Sequence, residues 1–223
     1  MFLKIGHRGA RAYEPENTLR SFKKAIELGA NAIEFDVRET KDKKLVVIHD
    51  ENIRRITGED VLVKDLTLKE IKELNIDGEK IPLLEEALDF IDKKVDKILV
   101  ELKEVGIEKK VLDAIKERKL ENVIIVSFHE DAIKKVRELD KKIETGLIYV
   151  RHPNPIKVAT EMKANYLIAL YRFIHTKNIQ IAHENGLKVI VWTINTKEEA
   201  KEYVEKGVDG IASDKPDILK DVV

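Results

Sequence analysis

The 223-residue sequence predicts an α/β protein that closes into a (β/α)8 barrel. Three observations carry this. Eight short runs rich in Val, Ile and Leu recur along the chain, and longer amphipathic stretches lie between them. The runs are continuously apolar rather than alternating, which is how strands covered on both faces of a parallel sheet read. A doubly wound open sheet is the rival arrangement, and eight repeats of strand and helix favour closure. The length suits one catalytic domain over residues 1–223, and no linker or composition shift divides it.

In chain order, strands are predicted at FLKI (2–5), AIEFDV (32–37), ILVEL (98–102), VIIVSF (123–128), TGLIYV (145–150), YLIAL (166–170), KVIVWTI (188–194) and GIAS (210–213). The stretch TLRSFKKAIELGA places Leu19, Phe22 and Ile26 on one helical face and stops at Gly29, a C-terminal cap. IEKKVLDAIKER, HEDAIKKVRELD, PIKVATEMK, KNIQIAHENG and KEEAKEYVEKG repeat the pattern, with Gly186 and Gly207 ending the last two. Before the first helix, Pro15 stiffens a loop and Asn17 or Thr18 supplies the cap. Glu16 either braces a site or favours the helix dipole. After the second strand the rhythm breaks. KDKKLVVIHD holds an extra β-like run (45–48), and a segment with one short helix, LTLKEIKEL, leads on to IPLLEEALDFI. We expect this insertion, about 50–80, to form a small cap on the functional face, where long barrel insertions usually sit.

Lys plus Arg number 41 and Asp plus Glu 42, so the chain is nearly neutral and carries no basic stripe for nucleic acid. Charged residues make up 37% of the chain, glutamine appears once and cysteine never. That bias fits work at high temperature, where ion-pair networks help more and thermolabile residues are avoided. Without cysteine there is no disulfide or thiol chemistry. The apolar start is short and interrupted by Lys4, so neither a signal peptide nor a membrane span is expected, and a cytoplasmic location is the default. Oligomeric state leaves no mark in the sequence.

Chemistry in such barrels sits where strands end. Glu34 and Asp36 are two apart on one strand, so both point into the mouth, and Glu101 joins them from the next barrel strand. Three carboxylates in a low-dielectric mouth oppose one another's ionisation. One divalent cation of the hard kind, Mg²⁺, Ca²⁺ or Mn²⁺, resolves this; the ordinary alternative is pairing with Arg8, Arg38 or Lys103. Of six histidines, His7 and His49 end β runs beside these acids and form a candidate acid–base pair. His129, His152, His175 and His183 lie in loops and helices away from them. Arg8 and Lys103 supply positive charge for a phosphate group. Trp192 and Phe128 wall the site or simply pack the barrel.

The motifs HRG, PENT, EFDV, VVIHD, ELK, SF, WTIN and DGIASDKP, in this order from residue 5 to residue 216, resemble the glycerophosphodiester phosphodiesterase family. The resemblance implies a TIM barrel that hydrolyses small-molecule glycerophosphodiesters to an alcohol and glycerol phosphate with a divalent cation. It implies His7 and His49 as acid and base, and Glu34, Asp36 and Glu101 as metal ligands. It places Arg8 and Lys103 near the phosphate and Trp192 near the glycerol end. Two departures stand out: Lys43 where the family often has glycine, and Leu84 where it often has threonine. Other readings are a lysophospholipase D-type activity, a non-catalytic phosphate-binding barrel, and an unrelated barrel enzyme such as a sugar-phosphate isomerase. The absence of a G-x-G-x-x-G fingerprint weighs against a dinucleotide enzyme.

Overall fold

The computed structural model describes residues 1–222. Among them, eight parallel strands close into a barrel with helices outside, as the apolar runs predict. The elements run β1 (Leu3–His7), α1 (Leu19–Glu27), β2 (Ala32–Glu39), β3 (Leu45–Val47), α2 (Arg54–Thr57), α3 (Leu68–Glu73), α4 (Leu84–Ile91) and β4 (Lys97–Leu102). There follow α5 (Glu108–Glu117), β5 (Val123–Ser127), α6 (Glu130–Leu139), β6 (Glu144–Tyr149), α7 (Pro155–Glu161), β7 (Tyr166–Leu170), α8 (Thr176–Glu184), β8 (Lys188–Trp192), α9 (Lys197–Glu205) and β9 (Gly210–Ser213). The sheet order is β1-β9-β8-β7-β6-β5-β4-β2, and β1 pairs with β2 to shut the ring. β3 stands outside the ring, antiparallel on β2.

Two layers of apolar side chains hold the barrel. Inside, Leu3, Ile5, Leu99, Ile124, Val126, Ile148, Tyr166, Ile168 and Ile190 fill the axis below the mouth. Outside, the other face of each strand packs on the helices. Phe22 of α1 meets Phe35 of β2 with ring centroids 5.7 Å apart, both rings fully buried. Replacing either by Ala removes a contact of this kind at a cost of about 3–5 kcal/mol. The insertion has its own small core of Val46, Ile48, Ile53, Val63, Ile71 and Ile81, and α3 starts with a capping box in which Thr67 and Glu70 satisfy each other's N–H groups.

Local details decide between expectations. Thr18, not Asn17, caps α1: its hydroxyl accepts from the Ser21 N–H. Gly9 follows the first strand with φ +83°, and a Cβ there would lie 2.4 Å from Ser21 Oγ, so only glycine lets α1 settle this close to β1. Lys43 holds φ +64° in the tight turn before β3, a conformation glycine adopts more cheaply. Leu84 is a buried helical residue of α4; the residue lacking a capping side chain is Leu83, whose N–H is instead met by Glu86 Oε2 at 2.8 Å. Among the described residues no helix is long and apolar enough to cross a membrane.

Candidate active site

Strand register assembles the acids. β1 and β2 pair His7 with Glu34, and β2 and β4 pair Asp36 with Glu101. In a parallel ladder such partners share a face, so all four side chains gather at one rim. Oxygens of Glu34, Asp36 and Glu101 lie within 4.8 Å of one another, and all three residues are buried. Asp36 sits deepest, behind the cavity that Glu34 and Glu101 line.

The expected cationic partners are present but insufficient. Lys103 Nζ donates to Glu101 Oε1 at 2.6 Å and stands 3.5 Å from Asp36 Oδ1. Arg8 Nε is 3.2 Å from Asp36 Oδ2, off hydrogen-bond geometry. Arg38 turns elsewhere, donating to the His49 carbonyl at 2.8 Å. Glu34 accepts only the Arg8 backbone N–H, at 2.9 Å, and its Oε1 is buried without a hydrogen-bond partner, as is Asp36 Oδ1. Burial, then Asp36 and Glu101, push the Glu34 carboxyl well above its ordinary range. Burial and Asp36 push Glu101 up to about 7. Burial pulls Asp36 the same way, yet Arg8 and Lys103 prevail and hold it low. Three convergent hard oxygens, two buried oxygen atoms without partners and an unbalanced negative charge are the donor set a divalent cation requires.

Both predicted histidines are held from behind by a carboxylate. His7 Nδ1 faces Asp214 Oδ1 at 2.7 Å, and His49 Nδ1 faces Asp50 Oδ1 at 2.6 Å. With each Nδ1 proton directed to its carboxylate, each Nε2 is left free to exchange a proton. His7 Nε2 is 4.0 Å from Glu34 Oε2. Asp214 is itself fixed by Asn195, whose amide donates to Oδ2 at 2.9 Å and whose Oδ1 accepts the Asp214 N–H at 2.9 Å. Burial lowers the pKa of His49 against the opposing pull of Asp36 and Asp50. Asp214 is held low despite its burial by the hydrogen bond from His7.

His7, Arg8, Glu34, His49, Glu101, Lys103, Phe128 and Trp192 line one cavity at the rim. Phe128 and Trp192 meet edge to face with centroids 5.6 Å apart, and Lys103 Nζ lies 5.6 Å from the Phe128 ring. Below them the wall is apolar: Val126, Ile148, Ile168 and Ile190, one from each of β5 to β8. The remaining histidines stay outside: His152 is 3.4 Å from Glu130, and His183 contacts Asp209 at 2.9 Å. His129 meets the Lys103 carbonyl at 3.2 Å, and His175 precedes α8.

Sequence reasoning missed most of the supports and left Glu16 between two roles. Asn17, assigned only to helix capping, donates to Asp36 Oδ2 at 2.8 Å and accepts the Asp36 N–H at 3.3 Å. Glu16 braces the site, one of the two roles open to it from sequence: it accepts from Arg8 at 3.0 Å and Arg55 at 2.5 Å, and Arg11 Nε forms an ion pair with it at 2.9 Å. Asp50 adjoins His49 in sequence and was legible in principle; Asp214 lies 207 residues from His7, and no local pattern announces the pair.

Residues 7–218 match the model of the glycerophosphoryl diester phosphodiesterase family. A glycerophosphodiester phosphodiesterase of Caldanaerobacter subterraneus subsp. tengcongensis is 39% identical, over 99% of this chain and 97% of its own length. Among solved structures, a glycerophosphodiester phosphodiesterase from Thermotoga maritima is 31% identical with a TM-score of 0.83, covering 98% of this chain and 97% of that one. A phosphodiesterase from Oleispira antarctica, solved with the product sn-glycerol-3-phosphate, is 26% identical with a TM-score of 0.91, covering 98% of this chain and 95% of that one.

Proposed function

The chain belongs to the glycerophosphoryl diester phosphodiesterase family, and from that premise we propose that it hydrolyses glycerophosphodiesters to glycerol phosphate and an alcohol, with His7 and His49 as the proton-transfer pair. The observation that carries this reading is the shared cavity: two imidazoles, each backed by a carboxylate on Nδ1, open on the three-acid cluster.

Glu34, Asp36 and Glu101 would hold a divalent cation, which when bound supplies charge that offsets the negative phosphate oxygens. Arg8 and Lys103 add fixed positive charge at the same rim and hold the phosphodiester against it. One imidazole takes the proton from the attacking oxygen as its new bond to phosphorus forms. The other gives a proton to the departing alkoxide as the ester P–O bond breaks. The attacking oxygen is that of water, or of the glycerol hydroxyl beside the phosphate; the second route passes through a cyclic phosphate that water then opens with the same pair. Trp192 and Phe128 wall the glycerol portion. The inserted segment over about 50–80 serves as a small cap that carries Arg55 to the site.

The test is a panel of glycerophosphodiesters assayed in chelator and after return of Mg²⁺, Ca²⁺ or Mn²⁺. Turnover lost in chelator and restored by one of these ions is expected; unchanged rates in chelator would remove the role given to the carboxylates. A second reading, lysophospholipase D-type activity, is favoured by the apolar character of one side of the mouth, where Phe128, Val150 and Phe173 are exposed beyond the ends of β5, β6 and β7. Comparing glycerophosphocholine with its monoacyl counterpart separates the two: a higher kcat/KM on the acylated compound supports the second reading.

A further inference from the structure

We propose that Arg55 is a positioning residue that joins the two imidazoles into one rigid frame, and that the inserted segment exists in part to deliver it. Arg55 Nε donates to Asp50 Oδ2 at 2.5 Å, while Nη2 and Nη1 donate to Glu16 Oε1 and Oε2 at 2.5 and 3.2 Å. Asp50 uses its other oxygen to hold His49 Nδ1. Glu16 also accepts from Arg8 and pairs with Arg11, whose Nε is 2.9 Å from Glu16 Oε2, and Arg11 Nη1 stands 3.9 Å from Asp214 Oδ1, the atom that holds His7. Acids and arginines thus alternate around the rim from His49 through Asp50, Arg55, Glu16, Arg11 and Asp214 to His7.

Arg55 is the arginine of this network that the insertion supplies. It sits in α2 between Ile53, fully buried in the insertion core, and Ile56, which packs against the same core. The short helix is tied at its base by the bridge between Asn52 and Leu62. Arg55 is outside the set of side chains that line the cavity, and about half of its own side chain is exposed. It therefore acts through Asp50 and Glu16 and not on the substrate. A planar guanidinium reaches two carboxylates at once in fixed geometry; a lysine ammonium on a flexible stem does not. Exposed single ion pairs contribute little, whereas a bidentate arginine within a network holds geometry.

The inference rests on the proton-transfer roles given above to the two histidines, and the experiment separates the two ideas. His49→Ala is the control for those roles; near-normal turnover in that variant would fault the roles themselves. With that control inactive, Arg55→Met is expected to lower kcat about 10–100-fold, the usual cost of losing a group that orients a catalytic ligand. KM, and the affinity for sn-glycerol 3-phosphate by calorimetry, should stay within about threefold of wild type. Arg55→Lys keeps the charge, is expected to fold, and should still lose at least about threefold in kcat because the fork is gone. Because Arg55 acts in part through Asp50, adding Arg55→Lys or Arg55→Met to Asp50→Asn should cost clearly less than the same change costs in wild type. Wild-type kcat in Arg55→Lys overturns the proposal, and so does an effect confined to KM. Losses that multiply in the double variants also overturn it. Should Arg55→Met not fold, Arg55→Lys, alone and combined with Asp50→Asn, supports or overturns the proposal by the same criteria.

Discussion

The two halves of the barrel mouth are built differently. Along β9, β1, β2 and β4 the strands end in Asp214, His7, Arg8, Asp36, Glu101 and Lys103, held by named partners except at Arg8 Nε, Glu34 Oε1 and Asp36 Oδ1, which are buried without a hydrogen bond. Along β5 to β8 they end in Phe128, Val150, Phe173 and Trp192, over a wall of Val126, Ile148, Ile168 and Ile190. One half fixes charge in place, and burial without full pairing there stores the electrostatic tension a catalyst uses. The other offers an apolar surface with the Phe128–Trp192 contact as its centre. On the roles proposed above, one ring of strands separates bond-breaking from substrate shape, because neighbouring strands share register but not chemistry.

The largest effects should come from the charged half. His7→Ala or His49→Ala is expected to cut turnover by about 10²–10⁴ with folding preserved, read as kcat beside a far-UV spectrum; near-normal activity in either variant would break the division at its root. Next comes Asp214→Asn, which leaves the imidazole in place but weakens its hold: kcat should fall about 10–100-fold with KM little changed. The apolar half should answer in the opposite sense. Phe128→Ala or Trp192→Ala should raise KM by about tenfold, some 1.4 kcal/mol of lost contact, and leave kcat closer to wild type. A kcat loss in Phe128→Ala as large as that in Asp214→Asn would show that the halves are not separate.

The smallest effect concerns stability. Glu34 and Glu101 hold their protons above the ordinary carboxylate range, first through burial and then through neighbouring acids, Glu101 up to about 7. The folded chain therefore binds more protons than the unfolded chain between about pH 4.5 and about pH 7, and stability falls as pH rises through that window. The carboxylates held low, Asp36, Asp50 and Asp214, act in the other direction, and their contribution is lost only as pH falls below about 4; His49, held below its ordinary value by burial, also opposes the trend within the window, one group against two. In chelator, Tm should drop by a few degrees from about pH 5 to about pH 8, and a divalent cation should flatten the slope. A Tm that rises over this range in chelator would contradict the assigned proton uptake.

Much of the charged half was legible in the sequence because a strand repeats every two residues: Glu34 with Asp36, and Glu101 with Lys103, could only share a face. The apolar runs also marked all eight barrel strands, though the first was cut short at residue 5. It runs on to His7, since backbone pairing to Glu34 continues after the apolar side chains stop. What could not be read were contacts fixed only by ring closure and by the insertion. Asp214 meets His7 because β9 lies beside β1. Arg55 meets Glu16 across 39 residues because a small separate core turns α2 toward the rim. The cap of α1 shows a choice that tertiary contacts make: two adjacent residues are equally able, and Asp36 claims Asn17, which leaves Thr18 to the helix.

The hydrogen bond between His7 and Asp214 joins the first strand of the ring to the last. A chain refolding from denaturant therefore has no properly seated His7 until its two ends have met, however much of the intervening structure has formed. Recovery of turnover therefore cannot precede that most distant encounter. Set against the return of helical signal, it reports on ring closure without any added label.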